Sequence, residues 1–347
     1  MTRLLALSLL TIFTSCNHGS QPEHAGDVIL ITVDALRADF ISPENTPSLA
    51  RLAAEGLSFT NARASSSHPL QSSASLLTGL LPTRGGSIGL LEAAPSAEVE
   101  TLAEAFAQSG YTTSLVSSQP LLSAEGFRRG YSDIQIARGG ETWSATEVAE
   151  RAIESLEDAG PDAPCFLHIH FADPHEPHLG TSSPSVSFAE IRARIADGAK
   201  GKSICTEQEL ESLLGAYRAE IAAVDAAIGL LLETIEPNAK PDGTLLLFTS
   251  TCGEEFLEHG YVGHSWTLHE EALRVPMILH SAASISSAVV TRAVSHVDIA
   301  PTLFAIAALQ ERSTGFDGDA LVRSGEAIEL GPREVLAELV IRERCIL

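Results

Sequence analysis

The chain is poor in aromatic, basic and cysteine residues. Only 5% of its 347 residues are aromatic, which argues against a carbohydrate-binding surface rich in tryptophan and tyrosine. It has 22 basic residues against 45 acidic ones, and its formal net charge is −23. Such a chain repels nucleic acid and anionic lipid headgroups at long range. We therefore expect no nucleic-acid partner.

Cysteine is scarce and scattered. After Cys16 come Cys165, Cys205, Cys252 and Cys345, and no two of them are closely spaced. The spacing excludes both a CxxC metal site and a dense disulfide framework, and it leaves open whether any two of them pair.

The N-terminus has no apolar run long enough to cross a bilayer. Arg3 precedes a mostly apolar run at residues 4–13, whereas a membrane span needs about 20 residues. Residues 13–16, Phe-Thr-Ser-Cys, resemble a bacterial lipoprotein box with Cys16 as the lipidated first mature residue. We interpret residues 1–15 as a signal peptide and 16–26 as a tether. The protein would then be exported and lipid-anchored in the bacterial cell envelope; the alternative is a secreted or periplasmic soluble protein.

Strand patterns alternate with helix patterns from residue 27 onward. Strands are predicted at 27–33, 57–59, 112–117, 165–171, 244–250 and 275–280, and helices at 46–54, 101–108, 143–156, 207–235 and 298–308. This alternation predicts an α/β fold with a mostly parallel sheet sandwiched by helices. Thr46 is the expected cap of the first helix, and residues 182–202 are expected to form a polar insertion over the sheet's carboxyl edge.

Two features of this α/β pattern suggest ligand binding. Asp34 follows the first strand, at the edge where open α/β sheets bind ligands. The segment 65–79 has no cysteine, lysine or arginine, and its serines lead into a helix predicted to begin near Ser72. The positive end of that helix would face the preceding loop, so Ser72 and Ser73 are candidate anion-binding residues.

Several segments, in order along the chain, together resemble the sulfatases of the alkaline-phosphatase superfamily. The matching segments are 27–39, 46–59, 74–79 with Pro82, Asp173-Pro174-His175, 217–229, 248–260, 273–276 and 294–302. The resemblance implies a sulfatase-like domain over residues 27–310. It also implies a small C-terminal subdomain, for which residues 311–347 leave room only for a truncated remnant. Residues 335–341 could supply one helix or strand of it.

The residues that carry the family's reaction are not matched. Sulfatases use a formylglycine made from Cys or Ser in a Cys/Ser-x-Pro-x-Arg motif. In this chain Pro69 occupies the nucleophile position, Gln71 replaces the motif's proline and Ser73 its arginine. Proline has no nucleophilic atom, and the loss of arginine removes the fork that would hold sulfate oxygens.

Most of the ligands that the family uses for its divalent cation, such as Ca²⁺ or Mg²⁺, are also missing from the sequence. Asp34 is the remnant of a paired Asp, while Thr251 and Cys252 stand at former ligand positions. One carboxylate is too few for a hard cation, so we expect no cofactor. Asp34 is then either a surviving ligand or a structural polar residue. His175 and His264 are vestigial catalytic candidates, with a structural role as the alternative.

The histidines of two loops allow a zinc site instead. The residues concerned are His168, His170, His175 and His178 in one region, and Cys252, His259, His264 and His269 in the other. A zinc site with nitrogen and sulfur ligands is one interpretation, and histidines inherited from an enzyme are the other. For Glu254, Glu255 and His259 we expect a role in loop structure.

Two functions follow from these observations. The first is an exported pseudoenzyme that has lost sulfuric-ester hydrolysis and binds at most an anionic small molecule, a glycan or a partner. The alternative is a divergent sulfate or phosphate ester hydrolase with a rebuilt metal site. The combined loss of nucleophile, carboxylates and basic residues favours the first. Ser67, Ser72, Ser73 and Thr251 are candidate substitute nucleophiles, with ordinary loop and cap roles as the alternative.

Overall fold

The computed structural model describes residues 26–89, 93–160, 163–178, 183–235, 243–309, 315–323, 326–328, 333–341 and 344–346. The predicted signal peptide, Cys16 and all but the last residue of the predicted tether lie outside the described residues.

Strands and helices alternate along the described chain. The strands are β1 (Asp27–Val33), β2 (Leu57–Phe59), β3 (Ala62–Arg63), β4 (Thr112–Ser117), β5 (Asp133–Ile136), β6 (Cys165–Phe171), β7 (Thr244–Ser250), β8 (Glu255–Phe256), β9 (Val262–Gly263), β10 (Met277–His280), β11 (Ala288–Val290), β12 (Val294–Ser295), β13 (Val322–Arg323), β14 (Glu326–Ala327), β15 (Leu339–Ile341) and β16 (Arg344–Ile346). The α-helices are α1 (Pro47–Glu55), α2 (Pro69–Thr78), α3 (Pro82–Gly85), α4 (Leu102–Gln108), α5 (Glu125–Arg128), α6 (Ala145–Ala159), α7 (Phe188–Ala196), α8 (Glu207–Ile235), α9 (Glu270–Leu273) and α10 (Ile299–Ile306).

The main sheet confirms the mostly parallel α/β fold predicted from the sequence. Its strand order is β11-β2-β10-β7-β1-β6-β4-β5. Central strand β1 pairs in parallel with both β6 and β7, whereas β10 is antiparallel to its neighbours β7 and β2. The register pairs Val33 with Phe171 and with Ser250, so these three strands end at one edge.

The side chains of β1 alternate between two hydrophobic cores because a strand's side-chain period is two. Val28 and Leu30 lie in the core that α2, α4 and α10 cover. Ile29, Ile31 and Val33 lie in the core that α1, α6 and α8 cover. Helices therefore sandwich the sheet, as expected for strands buried on both faces.

Helix α8 fixes the beginning of α1. The carboxylate of Asp225 accepts hydrogen bonds from the backbone N–H groups of Ser48 and Leu49, at 3.0 and 2.8 Å. Thr46 occupies the predicted cap position, but its hydroxyl bonds to the backbone of Ser42 instead. Thr46 is thus the N-cap residue as predicted, but its side chain makes no capping bond, because a carboxylate from a distant helix accepts from these N–H groups.

Two further segments differ from the sequence-based expectation. Helix α2 begins at Pro69 rather than near Ser72, since proline lacks the N–H that a first helical residue leaves unpaired. Residues 183–202 contain α7, whose Phe188 and Ile191 are buried in the core beside α8. The expected polar insertion is thus partly a core element.

The C-terminal residues form short strands. β15 pairs antiparallel with β16, and β13 with β14. Of the two structures considered for residues 335–341, the strand is present at Leu339–Ile341.

Buried His296 links α2 to the sheet. Its Nδ1 lies 2.7 Å from Ser72 Oγ, and its Nε2 lies 3.2 Å from Thr249 Oγ1. Because Thr249 donates to the carbonyl of Pro276, its oxygen accepts from His296 Nε2–H, and Ser72 donates to Nδ1. Burial lowers the pKa of His296 to about 3.

We expect acid to destabilise the fold through two buried histidines. Burial lowers the pKa values of His168 and His296 to about 3 from an ordinary 6.5. Between these pH values the unfolded chain binds more protons, so the free energy of unfolding falls as pH decreases from about 6.5 towards 3. His296→Gln removes one such group and should flatten this dependence, measured by urea unfolding at several pH values.

The test compares how steeply the free energy of unfolding depends on pH in different variants. This comparison is needed because other titrating groups change the same dependence in the opposite direction. Burial and the charge of Glu220 raise the pKa of Asp173 to about 6, which acts in the opposite sense. His280→Gln is the matched control, since His280 is only partly buried at the end of β10. Equal slopes in the parent protein and in His296→Gln would contradict the prediction.

Candidate functional site

The ends of β1, β6 and β7 bring together the residues that the sequence placed at a ligand-binding edge. The N–H of Asp34 donates to the carbonyl of Phe171 at 2.9 Å, and the N–H of Thr251 donates to the carbonyl of Val33 at 2.8 Å. These bonds hold Asp34 and Thr251 side by side at the ends of neighbouring parallel strands.

Asp34 is completely enclosed, and both of its carboxylate oxygens are in contact with polar groups of the chain. The hydroxyl of Thr251 donates to Oδ1. The side-chain amide of Gln119 donates to Oδ2 at 3.2 Å, and His170 Nε2 lies 3.3 Å from the same oxygen. The side chain of Asp34 is 1% exposed.

These contacts decide the charge of Asp34. Burial alone would raise the pKa of its carboxyl group, but the charge and contact of His170 act against burial. The charge of His175 and the hydroxyl of Thr251 act in the same direction, and the net result is a pKa well below the ordinary value. Asp34 is therefore an ionised carboxylate stabilised by the protein itself.

The residues at the former ligand positions do not fit a hard divalent cation. Ca²⁺ and Mg²⁺ need about six oxygen ligands, and here the only carboxylate of the set is already bonded to side chains. Ala35 offers no side-chain ligand. Cys252 is fully buried, and burial together with the charge of Asp34 raises the pKa of its thiol well above the ordinary value.

A row of buried and partly buried polar side chains leads from Asp34 into the sheet. Thr32 Oγ1 lies 2.8 Å from His170 Nδ1 and 2.9 Å from His168 Nε2, and Tyr131 OH lies 3.0 Å from His168 Nδ1. Burial, with a smaller effect from His170, lowers the pKa of His168. His168 and His170 share one face because their residue numbers differ by two. Thr32 links these two histidines, and His170 is the one that contacts Asp34.

His175 and His264 form a pair beside this carboxylate. Their ring centroids are 4.7 Å apart in an edge-to-face arrangement. Nδ1 of His264 lies 3.1 and 3.2 Å from the two carboxylate oxygens of Glu254. Burial would lower the pKa of His264, but Glu254 outweighs burial and raises it. Burial and His264 lower the pKa of His175, so the pKa values of the two rings are shifted in opposite directions.

The other histidines considered for a zinc site do not join this pair. His178 Nδ1 lies 2.6 Å from Glu220 on α8, and its ring packs against Phe188. Among the described residues, the group that could share one metal ion is Glu255, His259 and His269. The histidine and cysteine residues that the sequence suggested as ligands of one zinc ion therefore lie in separate parts of the structure.

The loop before α2 is enclosed by distant parts of the chain. The side-chain amide of Gln71 donates to the carbonyls of Gly89 and Val340 at 2.9 and 2.8 Å, and its oxygen accepts from the N–H of Val340 and the hydroxyl of Ser66. The N–H of Ser265 donates to the carbonyl of Ser67 at 3.0 Å. Every residue of α2 is buried.

None of the candidate substitute nucleophiles has the surroundings of an activated one. Ser72 is bonded to His296, but both are fully buried, and a histidine with a pKa of about 3 is a weak base at neutral pH. Ser67 and Thr251 are also fully buried, and Ser73 is 2% exposed. The prediction that Ser72 and Ser73 hold an anion stays a prediction, and the Ser72 hydroxyl would have to leave His296 to do so.

Gln119, Tyr131 and His296 were missed as partners of the site. The sequence does carry one signal for the buried row, since Thr32 lies two residues before Asp34 and therefore on the same face of β1. Gln119 and Tyr131 carry no comparable signal, because they reach the row from loops.

Comparisons with known proteins agree on one family. A family model described as Sulfatase matches residues 27–309. The uncharacterized sulfatase YidJ of Escherichia coli (strain K12) is 22% identical over 321 residues, which cover 78% of this chain and 64% of that protein. An arylsulfatase of Clostridium perfringens (strain 13 / Type A) is 22% identical over 357 residues, covering 80% and 74%. The chain thus spans less than two thirds of the length of the first relative.

Solved structures share the fold. A phosphonate monoester hydrolase of Agrobacterium radiobacter superposes with a TM-score of 0.71 at 22% identity, covering 92% of this chain and 80% of that one. A structure in complex with its substrate D-glucosamine-2-N,6-O-disulfate superposes with a TM-score of 0.71 at 20% identity, covering 88% and 82%.

We expect Asp34→Asn to destabilise the protein at pH 7. Its lowered pKa adds stability that is present above the ordinary carboxyl pKa and lost as pH falls, so at pH 7 the whole contribution is removed. Losing a hydrogen bond to a charged group typically costs about 1.5–3 kcal/mol in free energy of unfolding, measured by denaturant titration.

Asp39→Asn is the control for this variant. Asp39 also faces a cation, Arg37 at 2.8 Å, but its side chain is 59% exposed, so we expect a loss below about 1 kcal/mol. A gain in stability in Asp34→Asn would contradict the prediction, because it is the behaviour of an unsatisfied carboxylate kept for a ligand.

Proposed function

Since the chain belongs to the sulfatase family, we propose that it is a pseudoenzyme of that family, which no longer hydrolyses sulfate esters. Its cleft, which we define as the site at the ends of β1, β6 and β7, would bind an anionic ligand. The observation that carries this proposal is the state of Asp34. Its two carboxylate oxygens face Thr251, Gln119 and His170, so its charge is compensated by the protein, and no second carboxylate stands at the former ligand positions.

The nucleophile position supports the loss of hydrolysis. Pro69 is the first residue of α2, and its ring offers no oxygen, sulfur or nitrogen that could attack an ester. Gln71 and Ser73 replace the motif's proline and arginine, and the side chain of Gln71 is bonded to the backbone of Val340. The side chains at positions 71 and 73 therefore lack the groups that the family's motif supplies.

An anion is the ligand that suits His264, the histidine of the cleft whose pKa is raised. Glu254 and its neighbouring charges raise the pKa of His264, so its ring carries positive charge over a wider pH range than a free histidine. His175 packs against it, and the side chain of Trp266, two residues further along, is 48% exposed. One structure of the same fold contains a sulfated glucosamine as its substrate. A sulfated sugar is therefore our candidate ligand.

We further propose that the protein acts at the bacterial cell envelope. The signal peptide and the lipoprotein box at Cys16 support export and lipid anchoring, with a secreted or periplasmic soluble form as the alternative. In the part of the chain described by the structure, no helix has the length and apolar character of a membrane span.

We expect a sulfated glucosamine to bind without being hydrolysed. Binding is measured by calorimetry, and release of sulfate is measured on the same sample with and without added Ca²⁺ or Mg²⁺. His264→Gln removes the positive charge and should weaken binding about tenfold or more, since a charge-assisted hydrogen bond contributes about 1.5–3 kcal/mol.

His280→Gln is the matched control, because His280 pairs with Leu246 towards the opposite edge of the sheet. It should bind like the parent protein. Metal-dependent hydrolysis of aryl sulfate, phosphate or phosphonate esters that is lost in His175→Ala would overturn the pseudoenzyme and support the divergent hydrolase. Binding that is equal in both histidine variants would overturn the role of His264.

We expect Cys16→Ser to release the protein from membranes. A lipidated Cys16 would place the parent protein in the membrane fraction of bacterial cells, while serine cannot take a thioether-linked lipid. Immunoblots of fractionated cells measure the distribution, and Cys345→Ser serves as the control. A parent protein found entirely in the soluble fraction would instead support the secreted form.

A further inference from the structure

A second group of ionisable side chains lies on the loop that follows β7, separate from Asp34. Glu255, His259 and His269 each offer one metal-ligating atom, and these atoms all lie within 4.8 Å of one another. We name these three residues the hairpin cluster. Its members differ in burial, because Glu255 is fully buried whereas the side chains of His259 and His269 are 44% and 41% exposed.

The backbone brings the cluster together. β8 and β9 form an antiparallel hairpin with His259 in its connecting turn. The N–H groups of Gly253 and Glu254 donate to the carbonyls of Ala272 and Glu271, at 2.8 and 3.0 Å. This pairing holds the segment that carries Glu255 against the segment that carries His269.

The side chains are arranged as two histidine–carboxylate pairs. Nδ1 of His269 lies 2.8 Å from Glu255 Oε1, and Nε2 of His259 lies 3.0 Å from Glu271 Oε2. Thr267 donates to the other oxygen of Glu255 and fixes this buried carboxylate. Histidines that bind metals commonly have a carboxylate on the nitrogen that does not face the metal, which is the relation between His259 and Glu271.

The imidazole rings of His259 and His269 lie close together. Their centroids are 3.9 Å apart at an interplanar angle of 35°. Two protonated rings at this distance would repel each other, whereas two neutral rings can share one cation between them.

We propose that Glu255, His259 and His269 bind one Zn²⁺ ion. Two imidazole nitrogens and one carboxylate oxygen form a ligand set that zinc accepts, and a fourth position stays open to water. In a tetrahedral zinc site neighbouring ligand atoms lie roughly 3.3 Å apart, so the cluster has to contract by about 1.5 Å at most. The exposed histidine side chains can rotate to do so. The ion would join the turn at His259 to the segment before α9.

The site is independent of the proposed function. His264, which we expect to contact the anion, lies between the two segments that the ion would join, but it is bonded to Glu254 rather than to the cluster. The ion would fix the loop around His264 without entering the cleft. Failure of anion binding and failure of zinc binding are therefore separate results.

Titration of the metal-stripped full chain with Zn²⁺ alone tests the proposal. Isothermal calorimetry should show one ion per chain with a dissociation constant on the order of 1 µM or below. His259→Asn and His269→Asn should each weaken binding at least about tenfold. Both positions are exposed enough to be replaced without opening the core. Glu255→Gln should have a similar effect, but its burial makes it the less decisive variant.

Two controls separate this site from others. His280→Asn removes a histidine at the end of β10 and should leave Zn²⁺ affinity unchanged. Asp34→Asn should also leave it unchanged, whereas a loss there would assign the ion to the cleft and overturn the proposal. The proposal would also be overturned if no binding occurred at millimolar Zn²⁺. Equal Zn²⁺ affinity in the parent protein, His259→Asn and His269→Asn would overturn it as well. As a second measurement, Zn²⁺ should raise the melting temperature of the parent and of His280→Asn, but not of the cluster variants.

Discussion

The carboxylate of Asp34 is the constraint around which the described cleft is arranged. A fully buried negative charge is unfavourable unless other groups of the protein compensate it. Thr251 from the end of β7, Gln119 from the loop after β4 and His170 from β6 supply that compensation. Three strands and a loop therefore converge on one side chain. In the pseudoenzyme that we propose, these side chains rather than a cation would hold the elements together.

Polar side chains also compensate one another on the face of the sheet that α2 covers. The row from Tyr131 to His170 and the bridge through His296 connect polar side chains that are buried or partly buried. Such networks are favourable only when every member has a partner. The cleft is consequently a polar layer inside an apolar core, and changes in one part are expected to disturb the rest.

More of the fold than of the site could be predicted from the sequence. Buried strands and the stripe of α8 have clear periodicity, so β1, β6, β7 and α8 match the predicted residues. The first turn of α2 was missed because Pro69 precedes the apolar residues that mark the helix. Thr46 was taken as a cap because its residue type suits one, whereas Asp225 reaches that position only through tertiary packing. The partners of Asp34 were missed for the same reason, since a contact between Gln119 and Asp34 leaves no local pattern.

The hydrogen bonds of Gln71 have a consequence for how such a protein can change over evolutionary time. The residue stands where the family's motif has proline, and its amide is bonded to both the N–H and the carbonyl of Val340. Placing the family's proline at position 71 would therefore remove the support of the strand that carries Val340. A cysteine at position 69 alone would not restore the motif, and a proline at 71 would destabilise the fold before any catalytic advantage existed. If the reaction is absent, as we propose, regaining it would require more than one substitution, because Gln71 also supports the fold.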